Sequence, residues 1–247
     1  MLENINTSNI LFLDIETVPQ HSSFDEAPKI IRDLWEKKSR FLIKDRDETP
    51  DSIYRQAGIY AEFGKVICIS CGYFSAEKKF RIKSFYGRDE KEILFDFADT
   101  VNKFFTRNDK QLCAHNGKEF DFPFLSRRMI VNDIRLPAVL DNSGKKPWEI
   151  NHLDTMELWK FGDYKSYTSL LLLATILGIP TPKDDIDGSM VWEVFWKEKN
   201  LDRIVNYCQK DVLTVAQILL RFKGEALLSE TAIELVSDQH KNLQKGE

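Results

Sequence analysis

The run Ile10-Leu11-Phe12-Leu13-Asp14-Ile15-Glu16 constrains the fold of this chain more than any other stretch. Four consecutive large apolar residues read as a short strand buried on both faces, near the middle of a sheet. Side chains alternate along a strand, so Asp14 and Glu16 point to one side and Ile15 to the other. Two carboxylates so placed raise each other's pKa and are costly to keep ionised. A divalent cation removes that cost, and hard oxygen ligands suit Mg²⁺ or Mn²⁺. The same tripeptide also fits a strand that runs out into solvent, and the rest of the chain must decide between the two.

The 247 residues, 43% hydrophobic and 30% charged, are enough for one substantial core without disulfides. Cys68, Cys71, Cys113 and Cys208 are few and scattered, as expected for reduced thiols in a cytoplasmic protein. Cys68 and Cys71 have metal-motif spacing, but they fall within a strand-like run. Residues three apart on a strand face opposite sides, and no second pair completes a zinc site. Met1 to Asn9 lacks the features of a signal peptide, and no apolar run approaches the ~18 residues of a membrane span. A net charge of −4 does not advertise a nucleic-acid binder. It does not exclude one either, because a local basic patch can supply phosphate contacts.

After Thr17-Val18-Pro19, residues 20 to about 57 lack strand alternation and read as a helical insertion, with a helix over Pro28 to Arg46. Its basic residues outnumber its acids, which fits a solvated helix face or, less commonly, a guide for a polyanion. Val66–Phe74 and Phe80–Tyr86 follow as a hairpin, then a helix over Asp89–Phe105 and a strand at Gln111–Ala114. The next helix starts either at Pro123 or earlier, with Asn116 and Glu119 as a capping pair. Asn151–Thr155 reads as a strand end, Tyr167–Leu177 as a helix and Thr181–Gly188 as an acidic loop. Leu201–Phe222 is the clearest helix, and residues from about 225 to 247 form a last helix or tail. Strands alternating with helices and no dividing linker argue one α/β domain with its core at about 9–222.

In the helix from Leu201, the residues Leu201, Val205, Cys208, Val212, Val215 and Leu219 form an apolar stripe. Tyr207 and Asp211 lie four apart on its flank, where they neighbour each other. Three patterns therefore occur in order: D-x-E at Asp14/Glu16, N-x-x-x-F-D at Asn116/Phe120/Asp121, and Y-x-x-x-D at Tyr207/Asp211. Together they resemble the DEDD (DnaQ-like) superfamily of 3′–5′ exonucleases, in its tyrosine-bearing subgroup. The likeness is greatest to the exonuclease domain of family B DNA polymerases, in a stand-alone form, over about residues 9 to 222.

The resemblance implies a ribonuclease H-like fold, a central mixed sheet of five strands with helices on both faces. It implies phosphodiester hydrolysis assisted by two Mg²⁺ or Mn²⁺ ions. Asp14 would bridge both ions, Glu16 and Asp211 would complete one site, and Asp121 would hold the second. Tyr207 would orient the attacking water, while Thr17, Asn116 and Phe120 would line the terminal nucleotide. His115 reads as a loop cap and Asp154 as a strand-end acid. The expected partner is a nucleic-acid 3′ end, single-stranded DNA favoured, with no membrane. A non-catalytic nucleic-acid-binding or polymerase-docking module, or an RNA-directed exonuclease, are the rivals.

Overall fold

The computed structural model describes residues 2–163, 167–180 and 186–236. β1 (Ile10–Pro19) occupies the middle of a six-stranded sheet of order β5-β4-β1-β2-β3-β6. Its partners are β2 (Gly64–Phe74), β3 (Phe80–Tyr86), β4 (Gln111–Ala114), β5 (Leu153–Asp154) and β6 (Ile233–Leu235). β2 runs antiparallel to β1 and to β3, whereas β4 is parallel to β1, β5 to β4, and β6 to β3. The helices are α1 (Lys29–Ser39), α2 (Glu90–Phe104), α3 (Asp121–Val131), α4 (Thr155–Lys160), α5 (Leu170–Ile176), α6 (Val191–Glu193) and α7 (Leu201–Phe222). α6 continues directly into a π-helical turn, Val194–Glu198.

Alternation along β1 divides the core in two. Leu11, Leu13 and Ile15 pack with Leu94 and Phe97 of α2 and with Phe124 and Leu125 of α3. Ile10 and Phe12 face Val212, Val215 and Leu219 of α7, and Val18 meets Val194, Phe195 and Cys208. Asp14 and Glu16 share the second register, so they point toward α7. Cys68 and Cys71 fall in opposite clusters, as their odd spacing on a strand requires. All four cysteines are free and buried.

Several boundaries differ from the sequence expectation. The sheet has six strands, not five. β6 forms where a last helix or tail was expected, joined by the Val236 amide donating to the Ile82 carbonyl at 2.8 Å. Glu234 on β6 pairs with Lys79 and Arg81 at the edge. α1 ends at Ser39, not Arg46. The segment beyond it folds back, and the Trp35 indole donates to the Pro50 carbonyl at 2.7 Å. This closes a small core of Trp35, Ile53, Tyr54, Ala57 and Phe63, so the insertion is only partly helical. α5 begins at Leu170 because Ser169 caps it, accepting from the Leu172 amide. α3 begins at Asp121, between the two alternatives. Asn116 does not cap it, since its backbone lies in the left-handed region (φ 61°). Residues 181–185 of the expected acidic loop and 237–247 of the expected tail lie outside the described residues.

Candidate active site

Topology collects the acids at one end of the sheet. β1 and β4 are parallel neighbours, so both release the chain at the same edge, where ligands bind in α/β sheets. Asp14 and Glu16 lie near the carboxyl end of β1. Asp121 opens the helix that follows β4, and α7 crosses the face toward which Asp14 and Glu16 point. A bulge between Glu16 and Thr17 shifts the β1–β2 register directly after the acids; such bulges bend a strand and re-aim its side chains.

The carboxylates are close enough to disturb one another. Asp14 is half-buried, yet its Oδ2 is inaccessible and has no hydrogen-bond partner among the described residues. Burial, then Asp211, Glu16 and Asp121 in turn, hold its carboxyl well above the usual range. Glu16 is only 7% exposed, and burial followed by the Asp211 charge pushes it up likewise. Asp121, 4% exposed, is pushed up to about 7, chiefly by burial. Its own backbone N–H and that of Ile15, the residue between the β1 acids, pull it the other way. Tyr207 is hydrogen-bonded to Asp211, and its phenol is raised by burial and by the charges of Asp211, Glu16 and Asp14. Like charges desolvated together are unfavourable unless a cation joins them. With its orphaned oxygen and hard oxygen donors, the cluster fits a divalent ion of the Mg²⁺ or Mn²⁺ kind.

Among the described residues, the group of potential ligand atoms lying within 4.8 Å of one another is Asp14, Glu16 and Cys208. Cys208 is a poor ligand here. Burial raises its thiol, so it stays protonated, and the thiol sits 3.4 Å from the Asp14 carbonyl, to which it donates. Asp121 and Asp211 stand outside this tight group, although their charges act on it.

Thr17, Asn116 and Phe120, expected to line a nucleotide, sit in three distinct local settings. The Thr17 hydroxyl donates to the Gly58 carbonyl at 2.8 Å, tying β1 to the insertion and leaving its oxygen as an acceptor. Asn116 has a buried side-chain Oδ1 with no partner among the described residues. Phe120 is half-buried, with its ring 5.4 Å from that of Phe124. Gly117 next to Asn116 is required sterically, because a Cβ there would meet the Ala114 Cβ at 2.4 Å.

Sequence reasoning missed the supports. Asp154 is more than a strand-end acid: it accepts from the Asn116 and Lys118 amides, at 2.9 and 3.1 Å, and from Met156 and Glu157 at the start of α4. It thereby fixes the loop that carries Asn116. The only forewarning was an acid at a strand end before a helical stretch. His115 is a loop cap, bridging the Thr155 hydroxyl and the Thr168 carbonyl at 2.9 and 2.8 Å. Beside Asp14, Ser70 and Ser84 share a 2.8 Å hydrogen bond, and Gln209 of α7 reaches Ser84 at 2.9 Å. This buried polar row gives α7 a fixed purchase on the sheet close to the acids.

The first five strands, ordered 3-2-1-4-5 with β2 alone antiparallel to β1, define a ribonuclease H-like α/β domain with a carboxylate cluster at the end of its central strand. Residues 59–245 match one family model, and the chain belongs to that family, described as predicted 3′–5′ exonucleases related to the exonuclease domain of PolB. The matched residues include Asn116, Phe120, Asp121, Tyr207 and Asp211, whereas Asp14 and Glu16 precede them. Among solved structures, the family B DNA polymerase of the hyperthermophilic archaeon Pyrobaculum calidifontis is similar over 85% of this chain, with 18% identity and a TM-score of 0.48. The alignment spans 24% of that polymerase. No curated protein matches the chain. Among the described residues no helix is long and apolar enough to cross a membrane.

Proposed function

We propose that this chain is a 3′–5′ exonuclease that hydrolyses phosphodiester bonds at single-stranded nucleic-acid ends, DNA favoured, with the help of two divalent cations. The observation that supports this reading is the pair Asp14 and Glu16, whose ligand atoms lie within 4.8 Å of one another, with the charges of Asp211 and Asp121 from two other elements acting on both. Asp14 would serve both ions, with Glu16 and Asp211 on one and Asp121 on the other. Bound ions would neutralise charge on the phosphate and make hydroxide available from water near neutral pH.

The chain's own groups supply positioning. Tyr207 keeps its proton, since its phenol is raised above its ordinary value. It therefore acts as a hydrogen-bonding group that orients the attacking water and not as a base. Its bond to Asp211 fixes the direction of the hydroxyl. The free Oδ1 of Asn116 offers an acceptor to the terminal sugar or base, and Phe120 an apolar wall. The membership of the chain in its exonuclease family supports the same reading.

The test is digestion of a 5′-labelled single-stranded oligonucleotide by wild-type protein and Asp14→Asn, in Mn²⁺ and in EDTA. The expected result is a ladder shortened from the 3′ end by the wild type in Mn²⁺ alone. Activity of the variant at the wild-type rate, with its fold intact, would overturn the assignment. Binding without turnover in ample Mn²⁺ would instead favour a silent binding module.

A further inference from the structure

Beside the acids, cations and aromatic rings interleave at the same end of the sheet. Lys65 at the start of β2 pairs with Val18, two residues beyond Glu16. Arg88 follows β3, whose last residue, Tyr86, pairs with Cys68, itself the partner of Glu16. Arg55 lies on the 3₁₀ turn Tyr54–Ile59, which also carries the Gly58 carbonyl that holds Thr17. The rings come from α6 and the π-helical turn. The Arg55 guanidinium lies 4.0 Å from the centre of Trp192, Lys65 lies 5.0 Å from Trp196 and 5.1 Å from Phe195, and Arg88 lies 5.3 Å from Phe195. Phe195 packs in one cluster with Val18 and Cys208, and Tyr207 lies against that cluster. The patch and the acids therefore share a wall.

Acids act on these cations only from beyond ion-pair distance: Glu193 on Arg55, and Glu90 and Asp89 on Lys65. Among the described residues Arg55, Lys65 and Arg88 form no ion pair, whereas a fourth cation, Lys197, is held by Glu193 at 3.0 Å. The nearest acids to Lys65 are already committed: Glu90 to Arg128 at 2.5 Å, and Asp89 to the cap of α2. Burial and the neighbouring charges of Arg88 and Arg128 make the Lys65 ammonium harder to keep charged.

The rings do not explain the arrangement as a stabilising device. Four cation–ring contacts contribute ~0.5–1 kcal/mol each at exposed sites. The Nε1 atoms of Trp192 and Trp196 are inaccessible and without a partner among the described residues, and a buried unmet donor costs ~1–3 kcal/mol. The segment is also a π-helical turn ending at Lys199 with φ 57°, and such turns concentrate at functional sites. A guanidinium stacked on a ring keeps its N–H edge free for phosphate oxygens. Cations backed by aromatics recur where proteins hold single strands without sequence preference.

We propose that Arg55, Lys65 and Arg88, seated on Trp192, Phe195 and Trp196, form a rail for the phosphodiester backbone of a single strand whose end enters the acidic centre. The exonuclease reading sets the direction of the strand; the binding itself stands apart from it.

The experiment is fluorescence anisotropy in EDTA, across a KCl series, with fluorescein-labelled 15-nucleotide mixed-sequence DNA and RNA single strands. The proteins are the full chain and its R55Q/R88Q, R55K/R88K and K103Q variants. Lys103 is a control on α2, paired with Asp99. Each lost phosphate contact lowers the log–log salt slope by ~0.7, so R55Q/R88Q should lower it by ~1.4 and weaken low-salt binding by ~10-fold or more. R55K/R88K should retain most of the affinity, and K103Q should match wild type. Thermal melts check the fold; if the double variant melts early, R88Q alone, at an exposed residue, is read in its place. Unchanged affinity and slope in the Gln variants, or an equal loss in K103Q, would overturn the rail. A loss confined to DNA or to RNA would also overturn it, since the backbone is common to both. Salt-dependent binding lost in R55Q/R88Q, with no hydrolysis by wild type in Mn²⁺, would remove the exonuclease reading and leave the rail. Hydrolysis with unaltered variant binding would remove the rail alone.

Discussion

Replacing Asp121 by Asn separates the charge of the acidic centre from its shape. In the folded protein this carboxyl is pushed from 3.8 up to about 7, first by burial, with the charges of Asp154 and Asp211 adding to it. A raised value means that the folded state keeps a proton the unfolded chain releases. Stability therefore falls as pH rises from ~4 to about 7, and is level on either side of that window. At ~1.36 kcal/mol per pH unit, the span from 3.8 to about 7 is worth at most ~4 kcal/mol. Asn has nearly the shape of a protonated carboxyl and can still accept from the Ile15 amide, so it removes the titration and little else. In EDTA, Asp121→Asn should gain ~2.7 kcal/mol over wild type between ~pH 5 and ~pH 8. For a domain of this size that is ~5–11 °C in melting temperature. Differential scanning calorimetry at the two pH values gives the difference directly. Saturating Mn²⁺ should reverse the order, because only the wild type has the full set of charges to bind it. An advantage for Asn that does not change with pH, or that is larger at low pH, would mean that the Asp121 carboxyl is not raised by burial.

Two further substitutions test the supports. Tyr207→Phe removes the hydroxyl bonded to Asp211; kcat should fall by ~10–100-fold with KM little changed. The alkaline limb of its pH profile should stay where it is, since the phenol does not titrate in that range; a lost limb would make Tyr207 a base. Glu90→Gln leaves Arg128, 3% exposed and now paired through two guanidinium contacts to Glu90, without its counter-charge. Breaking a buried pair costs ~3–5 kcal/mol, so the melting temperature should drop by at least ~6 °C; an unchanged melt would show that α2 and α3 do not depend on that pair.

What was legible in the sequence follows from the strength of each local signal. The apolar run of β1 and the stripe of α7 are long and regular, so the facing of Asp14 and Glu16 and the flank position of Asp211 could be read from periodicity alone. β6 has three residues and borrows its stability from the edge of β3 and from the Lys79 and Arg81 partners of Glu234, so no pattern within it announces a strand. Ser70 and Ser84 are ordinary strand residues until β2, β3 and Gln209 are brought together. The role of Asp154 depends on amides 36 and 38 positions away, which no spacing rule connects. The proposed rail has no local signature for the same reason: Arg55, Lys65 and Arg88 lie on three separate elements and meet the rings of α6 and the π-helical turn only in the packed fold. The helix expected over Pro28–Arg46 stops at Ser39 although charged helix formers continue past it, because the chain turns there to bury Trp35.

Whether the four acids gather divalent ions can be seen most directly by soaking crystals in Mn²⁺ and computing an anomalous difference map. Manganese density is expected between the carboxylates of Asp14, Glu16 and Asp211, with a second ion toward Asp121 when an oligonucleotide is bound. A map with Mn²⁺ at saturating concentration and no peak at Asp14 would mean that the acids do not gather the ions.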